Sequence, residues 1–427
     1  MKKTMKMMVA LGLSGAMIMG GSMAVSAEEE VHLTLLHHLN EQGKKDGLVA
    51  LSEAFTEQNP NIIVDVEFLS QEDYINTIKQ RSAADNMPDF INYRPIQEPT
   101  LIEAGLIEPL DESVYPDEID SSLIESVSID GIHYGIPLDR GGYGLYYNET
   151  LLEQVGAKAE DLSTISGLLD TCEKLKDAGI TPLSSGYAES WTESLIFDPC
   201  ITSGLQVVYP DVCDQLMAGT KKFADYPEIL EIVDHALTLS RDYTIVDAKA
   251  ASQTASDQYA QFGRGDAAMM IQGSWAISDI MMSKEAAGNE DKFGFTLFPW
   301  CDDEENNKMG ANADDTLMIA SGSKHKEEAL QFAQFCMTTE AAQIWMQNSN
   351  TITSRSDVAP VVENDLTKSV KDTLDNKAFF YESCGVFSGQ QYNDYVRLFV
   401  EKRASDATAE DIIESWDETF ANILSAN

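Results

Sequence analysis

Basic side chains are scarce in this 427-residue chain, with 29 Lys and Arg against 71 Asp and Glu. Nucleic acid is held by neutralising its phosphates with Lys and Arg, so a surface this acidic makes it a poor partner. The excess of acid reads as solubility at high export concentration. There are only six histidines, and the adjacent His37 and His38 have no partner motif, so no metal site is expected. Six cysteines, Cys172, Cys200, Cys213, Cys301, Cys336 and Cys384, show none of the close paired spacing of zinc or redox motifs. Cys200 and Cys213 could pair in an oxidising compartment; free buried thiols are the other reading. The chain has no Gly-x-Ser-x-Gly elbow, no His-Glu-x-x-His and no phosphate-binding Gly-rich loop. Glycoside hydrolysis needs two carboxylates set across a cleft, and neighbours such as Asp314 and Asp315 arise by chance among so many acids. The expectation is a chain that is not an enzyme and carries no cofactor.

Long apolar runs are missing too, once the first residues are passed. Lys2, Lys3 and Lys6 are followed by an apolar stretch over 7–19 and by small residues up to Val25-Ser26-Ala27. This is the layout of a secretory signal peptide with cleavage after Ala27. Gly12, Ser14, Gly15, Gly20 and Gly21 interrupt the apolar stretch, whereas a spanning helix needs about 20 predominantly apolar residues. No cysteine lies near the cleavage point, so a lipid anchor there has no acceptor, and an exported soluble monomer is expected. The mature chain, 28–427, has 400 residues, and 29 basic residues less the three signal lysines leaves 26 against 71 acidic, a net −45. That length predicts two or three domains.

Strand and helix patterns alternate from residue 28 onward. Residues 31–37 read as a buried strand, 48–55 carry helical spacing, 62–69 place Val64, Val66 and Phe68 on one face, 71–84 read as a helix and 90–93 as a short strand. Such alternation predicts βαβ units with a parallel sheet, and in those sheets ligands sit beyond the carboxyl ends of the strands. Residues 129–148 read as two β runs around a Gly-rich bend at Gly141-Gly142, crossing between two lobes. Further extended runs are expected at 293–298 and 318–321, one long amphipathic helix at 327–345, and a closing helix at 409–424.

The motifs along the chain resemble one family. Ala54-Phe55-Thr56-Glu57-Gln58-Asn59-Pro60-Asn61-Ile62 is similar to the F-E-x-x-N-P-x-I stretch of bacterial extracellular solute-binding proteins of the maltose-binding type. Met87-Pro88-Asp89-Phe90 and Gly105-Leu106-Ile107-Glu108-Pro109-Leu110-Asp111 resemble that family's P-D and G-L-x-x-P-L-D steps. Asp130-Gly131 through Tyr134-Gly135-Ile136-Pro137 and Tyr146-Tyr147-Asn148, then Phe262-Gly263-Arg264-Gly265-Asp266-Ala267-Ala268-Met269 and Gly273-Ser274-Trp275, continue the likeness in order. The resemblance implies an α/β, two-lobed periplasmic-binding-protein-like fold of type II, with a ligand cleft between lobes joined by a hinge. It divides the chain into lobe 1, 28–137 plus 299–352, and lobe 2, 138–298 plus 353–427. It also implies capture of a carbohydrate, an oligosaccharide above all, for the permease subunits of an ABC transporter. The same fold binding a polyamine or peptide, and a secreted glycoside hydrolase, are the alternatives.

Sugars present flat C–H faces that aromatic rings match and hydroxyls that carboxylates, amides and guanidinium groups meet in fixed directions. Trp275, which resembles the family's cleft tryptophan, and Trp191 are the expected stacking residues. Asp139 and Arg140, beside the glycine pair, are the expected hydroxyl partners. Asn40, Glu41, Tyr93, Arg94 and Tyr143 follow at strand ends, then Asp314 and Asp315 before a strand and Arg355 near a lobe crossing. Trp300, Trp345 and Trp416 are expected to be structural.

Overall fold

The computed structural model describes residues 30–38, 41–244, 252–359, 364–379 and 389–426. The expected signal peptide, Asn40 and Cys384 lie outside the described residues. Strands β1 (Val31–His37) and β2 (Ile62–Phe68) run parallel, Val31 facing Ile62 and His37 facing Phe68. Between them lies α1 (Gln42–Gln58), which buries Leu48, Leu51 and Phe55 on one stripe. The Phe55 ring meets Phe332 edge-on at 5.1 Å. Each such side chain removed from water contributes about 1.5–3 kcal/mol, so α1 is fastened to the core of the first sheet through Leu48, Leu51 and Phe55. Helix α2 (Gln71–Ala83) leads to β3 (Phe90–Asn92), which lies parallel to β1 on its other side.

A small hairpin, β4 (Ser128–Ile129) and β5 (Ile132–His133), turns at Asp130-Gly131, both at positive φ. There follow β6 (Gly135–Pro137), β7 (Asp139–Asn148), β8 (Met269–Gly273), β9 (Phe293–Thr296), β10 (Met309–Ala313), β11 (Thr316–Ile319), β12 (Ile352–Thr353) and β13 (Ala378–Phe379). The first sheet has the order β2-β1-β3-β11-β6; the second has β12-β7-β10-β13, with β8 and β9 also paired to β7. The chain therefore passes between sheets at Leu138, from β6 to β7, and at Asp314-Asp315, from β10 to β11, and it returns to the second sheet at β12, after the helix Thr339–Ser349. Each sheet has its own apolar core. Leu33, Leu35, Leu51, Phe90, Phe332 and Trp345 belong to the first, and Leu145, Phe197, Met269, Trp300 and Trp416 to the second.

Three expectations change. The Gly-rich bend is instead straight strand, because the glycines of β7 serve close approach rather than a turn. A Cβ at Gly141 would stand 2.5 Å from Asp314 Cβ, and one at Gly144 2.4 Å from the Phe295 ring and 2.5 Å from the Thr296 carbonyl oxygen. The helix expected over 327–345 is two, Lys326–Cys336 and Thr339–Ser349. The Thr338 hydroxyl accepts from Ala341 N at 3.1 Å and starts the second one. The segment 299–352 divides: β10 pairs with β7 in the second sheet, where Trp300 also packs, while β11 joins the first. Of the two readings left open for Cys200 and Cys213, the structure has free thiols, the first donating to Ile196 O and the second accepting from Gln206 Nε2. Among the described residues no helix is long and apolar enough to cross a membrane.

Candidate functional site

The two chain crossings meet at a buried ionic cluster. Lys44, one turn into α1, is fully enclosed, and its Nζ lies 2.6 Å from Asp314 Oδ2, 3.0 Å from Asp315 Oδ2 and 3.7 Å from Asp139 Oδ2. Asp139 also accepts from the Asp315 amide at 2.7 Å and from the Trp345 indole at 3.4 Å. Asp315 accepts from Asn92 Nδ2 at 2.6 Å and lies 3.3 Å from His37 Nε2. Burial alone would push the Lys44 ammonium down, but the Asp139, Asp314 and Asp315 carboxylates outweigh it and hold the group well above its usual range. Burial likewise opposes ionisation of Asp315, yet Lys44 and His37 hold that carboxyl below the usual carboxylate range. Asp139 is pushed up, by burial first and then by its two acidic neighbours, with Lys44 opposing. Burial lowers His38 to about 3, so it is a neutral imidazole whose Nδ1 donates to the Asn92 carbonyl at 2.9 Å.

An aromatic wall stands beside this cluster. Tyr143 is on β7, and Trp275 follows the wholly buried strand β8. Their rings meet edge-on at 5.5 Å, and Trp191, from the short helix Ser190–Ser194, tilts against Trp275 at 6.2 Å. The Trp191 indole donates to Glu189 Oε2 at 2.8 Å, and Glu189 Oε1 accepts from the Ala255 amide at 3.2 Å, so the ring's orientation is tied to the start of helix Ala255–Arg264. All three rings are only partly buried.

Groups from the first sheet face this wall. Arg94, just beyond β3, donates to Asn312 Oδ1 on β10 at 2.8 Å and hydrogen-bonds the Tyr143 side chain. Glu41, capping α1, is 6 % exposed, and its Oε1 accepts from the Tyr259 hydroxyl at 3.1 Å. Its Oε2 is enclosed without a hydrogen-bond partner among the described residues, and the Trp275 indole hydrogen-bonds the Tyr259 side chain. Burial pushes the Glu41 carboxyl up to about 7, with Lys44 opposing. Asp198, whose charge reaches Tyr143, is pushed up to about 7 by burial, and its Oδ1 is likewise unpartnered. A directed pair of acceptor and donor beside flat rings can take a hydroxylated ring face-on and satisfy its edge.

The structure thus brings Trp191, Trp275, Tyr143, Arg94 and Glu41 together. Tyr93 lines the first-sheet side, stacked 5.8 Å from Tyr74 and 5.1 Å from His38. Asp139, Asp314 and Asp315 gather around Lys44. Because β7 is straight, side chains alternate across it. Asp139 and Tyr143 share one face, and Arg140 points to the other, bonding Asp375 at 3.0 Å and the Leu374 carbonyl at 2.7 Å. Arg355 lies elsewhere, holding Asp357 through two nitrogens and the Met337 carbonyl at 2.7 Å. Sequence reasoning missed Lys44, Tyr259, Asn312 and Asp198. Tyr259 and Phe262 are spaced like core residues of an amphipathic helix; the alternation of β10, which puts Asn312 and Asp314 in phase, was the one usable signal.

Two sheets, each with its own core, joined by crossings at Leu138 and Asp314-Asp315 and meeting across a polar and aromatic cleft, define a two-lobed α/β binding protein of type II periplasmic-binding-protein-like fold. Residues 50–377 match the family of bacterial extracellular solute-binding proteins, and the chain belongs to that family. It is 22 % identical over 360 residues to an uncharacterized ABC transporter extracellular-binding protein of Pyrococcus horikoshii, covering 82 % of this chain and 77 % of the relative. It is 23 % identical over 350 residues to the multiple sugar-binding protein of Streptococcus mutans, covering 78 % of each. A chitin oligosaccharide binding protein of solved structure superposes with a TM-score of 0.80 at 20 % identity, covering 93 % of this chain and 99 % of that one.

Proposed function

We propose that this protein captures an oligosaccharide between its lobes and hands it to the permease subunits of an ABC transporter, without transforming it. The observation that carries the reading is the wall of Trp191, Trp275 and Tyr143, with Glu41 and Arg94 reaching it from the opposite lobe. Three rings offer flat faces to sugar rings, while the carboxylate and guanidinium select among hydroxyls. The relatives that bind sugars support the ligand class, and the one described with an ABC transporter supports the partner. The signal layout at 1–27 supports export.

Lobe closure follows from ligand contacts made by both sides, which shift the population toward the closed arrangement. A Kd of about 1 μM corresponds to about 8 kcal/mol, within reach of stacked rings and a few directed hydrogen bonds. A thermal-shift screen of 28–427 against mono- and oligosaccharides, amino acids and polyamines tests the reading, since a ligand of the native state raises Tm by mass action. A rise with one related group of oligosaccharides, lost in Trp275→Ala, is expected. A rise only with polyamines, or release of reducing ends on incubation, would overturn it.

A further inference from the structure

Trp191 stands on a helix too short to place itself. Isolated helices below about 12–15 residues are marginal in water, and Ser190–Ser194 has five residues. The anchors of that helix therefore fix the ring. On the side of the indole, Glu189 takes the N–H at 2.8 Å. On the other side the anchor is Glu193. It follows Trp191 by two residues, about 200° round the helix, and it turns into the lobe, where it is 2 % exposed.

Two elements remote in sequence meet Glu193 there. Its Oε2 accepts from the Ser240 hydroxyl, on helix Pro227–Asp242, at 3.2 Å. The same oxygen lies 3.2 Å from Arg403 Nη1, at the end of helix Gly389–Arg403. That nitrogen also donates to Ser240 Oγ at 2.9 Å. The guanidinium carbon lies 3.8 Å from the centre of the Tyr187 ring, in the loop that leads to Trp191. Arg403 is itself clamped. Arg241, beside Ser240, donates from Nε to the Arg403 carbonyl at 3.0 Å and from Nη2 to the Ser405 and Ala407 carbonyls, each at 2.8 Å. A cation that satisfies the last carbonyls of a helix holds its end in place.

This arrangement is poorly suited to stability alone. Burial pushes the Glu193 carboxyl up to about 7, with Arg403 first among the groups opposing the rise. Arg403 Nε is enclosed without a hydrogen-bond partner among the described residues. A buried ion pair gains little over well-packed apolar side chains of similar volume. What it supplies here is direction. Deepening the carbohydrate reading, and resting on it for the use of the ring, we propose that Arg403 is a positioning residue for Trp191, acting through Glu193. The C-terminal helix Gly389–Arg403 thereby sets the pose of one ring of the aromatic wall.

The test needs no sugar, so its outcome is separate from that of the ligand screen. The chain 28–427 is labelled with 5-fluorotryptophan, and its five tryptophans give five fluorine NMR resonances. The Trp191 resonance is the one lost in Trp191→Phe. Arg403→Met is expected to shift or broaden it, and Trp275, whose ring is 6.2 Å away, follows. Trp300, against Gly204, and Trp345, beside Asp139, should keep their positions. Glu193→Met should reproduce the change, and the double variant should add nothing to it. Glu193→Gln, whose amide oxygen still accepts from Ser240 and Arg403, should keep the wild-type resonance. Arg403→Lys keeps the cation but not the planar fork, and should move the resonance by less than Arg403→Met. A merely structural pair would lower the urea midpoint in the Met variants and leave the Trp191 resonance in place. That result would overturn the proposal, as would Trp300 and Trp345 moving as far as Trp191 in Arg403→Lys.

Discussion

The two polar regions between the lobes are built from similar parts and end in opposite states. Around Lys44 three carboxylates converge, and their charge is met from within, by the ammonium itself and by Asn92, His37, Trp345 and the Asp315 amide. Around Trp275 the rings are partly exposed, and enclosed carboxyl oxygens of Glu41 and Asp198 lack partners among the described residues. The first region neutralises its own charge, although Asn92 Oδ1 and Asp315 Oδ2 make no hydrogen bond among the described residues, and the second leaves two enclosed carboxyls with no cation beside their open oxygens. The difference separates two readings of an acidic chain. Acids that converged on empty space would suit a cationic ligand, but three of these converge on the protein's own lysine, and the two left open, Glu41 and Asp198, stand beside flat rings.

The strongest way to break this contrast is to remove the internal cation. Lys44→Met leaves Asp139 and Asp315 enclosed with no counter-charge. Breaking a buried pair on one side costs about 3–5 kcal/mol, to be read as a lower urea midpoint with unchanged slope. Adding Asp315→Asn should recover part of the loss, because the two positions are coupled by contact. If Lys44→Met instead unfolds like the wild type and loses only ligand affinity, the cluster is part of the binding surface and the contrast fails.

On the other side the effects should fall on affinity. Trp275→Ala removes the centre of the wall. It is expected to weaken sugar binding by about 2 kcal/mol, roughly thirtyfold in Kd, while the urea midpoint moves far less than in Lys44→Met. Trp191→Ala should follow at about 1 kcal/mol, roughly fivefold. The Trp191 indole N–H is already satisfied by Glu189, so only the ring face is available to a ligand. Titration calorimetry with the sugar found in the screen gives both values.

The same contrast explains what could be read from the chain alone. Strands β1, β2 and β3 with their helices were legible because burial there follows period: Leu33, Leu35, Leu48, Leu51 and Phe55 recur at strand or helix spacing. The aromatic wall was legible because the local setting of Trp275 and Trp191 matches a known pattern. Glycine was not: Gly141 and Gly144 look alike whether they turn a chain or admit a neighbour, and only the positions of Asp314 and Phe295 decide. The break at Thr338 was hidden because apolar spacing runs on through Phe335, Ala341 and Trp345. Lys44 was invisible because its partners Asp139, Asp314 and Asp315 come from segments remote in sequence, and a lysine one turn into a helix reads as a solvated face.

Asp314 sharpens the boundary between the two regions most finely. It is the most exposed member of the cluster, with 10 % of its side chain accessible, and it makes the shortest contact to Lys44 at 2.6 Å. A solvated turn and a ligand-facing acid were equally good readings of it. The amide oxygen of Asp314→Asn still accepts from Lys44, and Asp139 and Asp315 still neutralise the ammonium, so stability should fall by no more than about 1 kcal/mol. Sugar affinity should stay within about twofold, since the wall and Glu41 are untouched. A much larger loss of affinity, with the urea midpoint unchanged, would place Asp314 among the ligand's partners and move the edge of the site one residue into the crossing between β10 and β11.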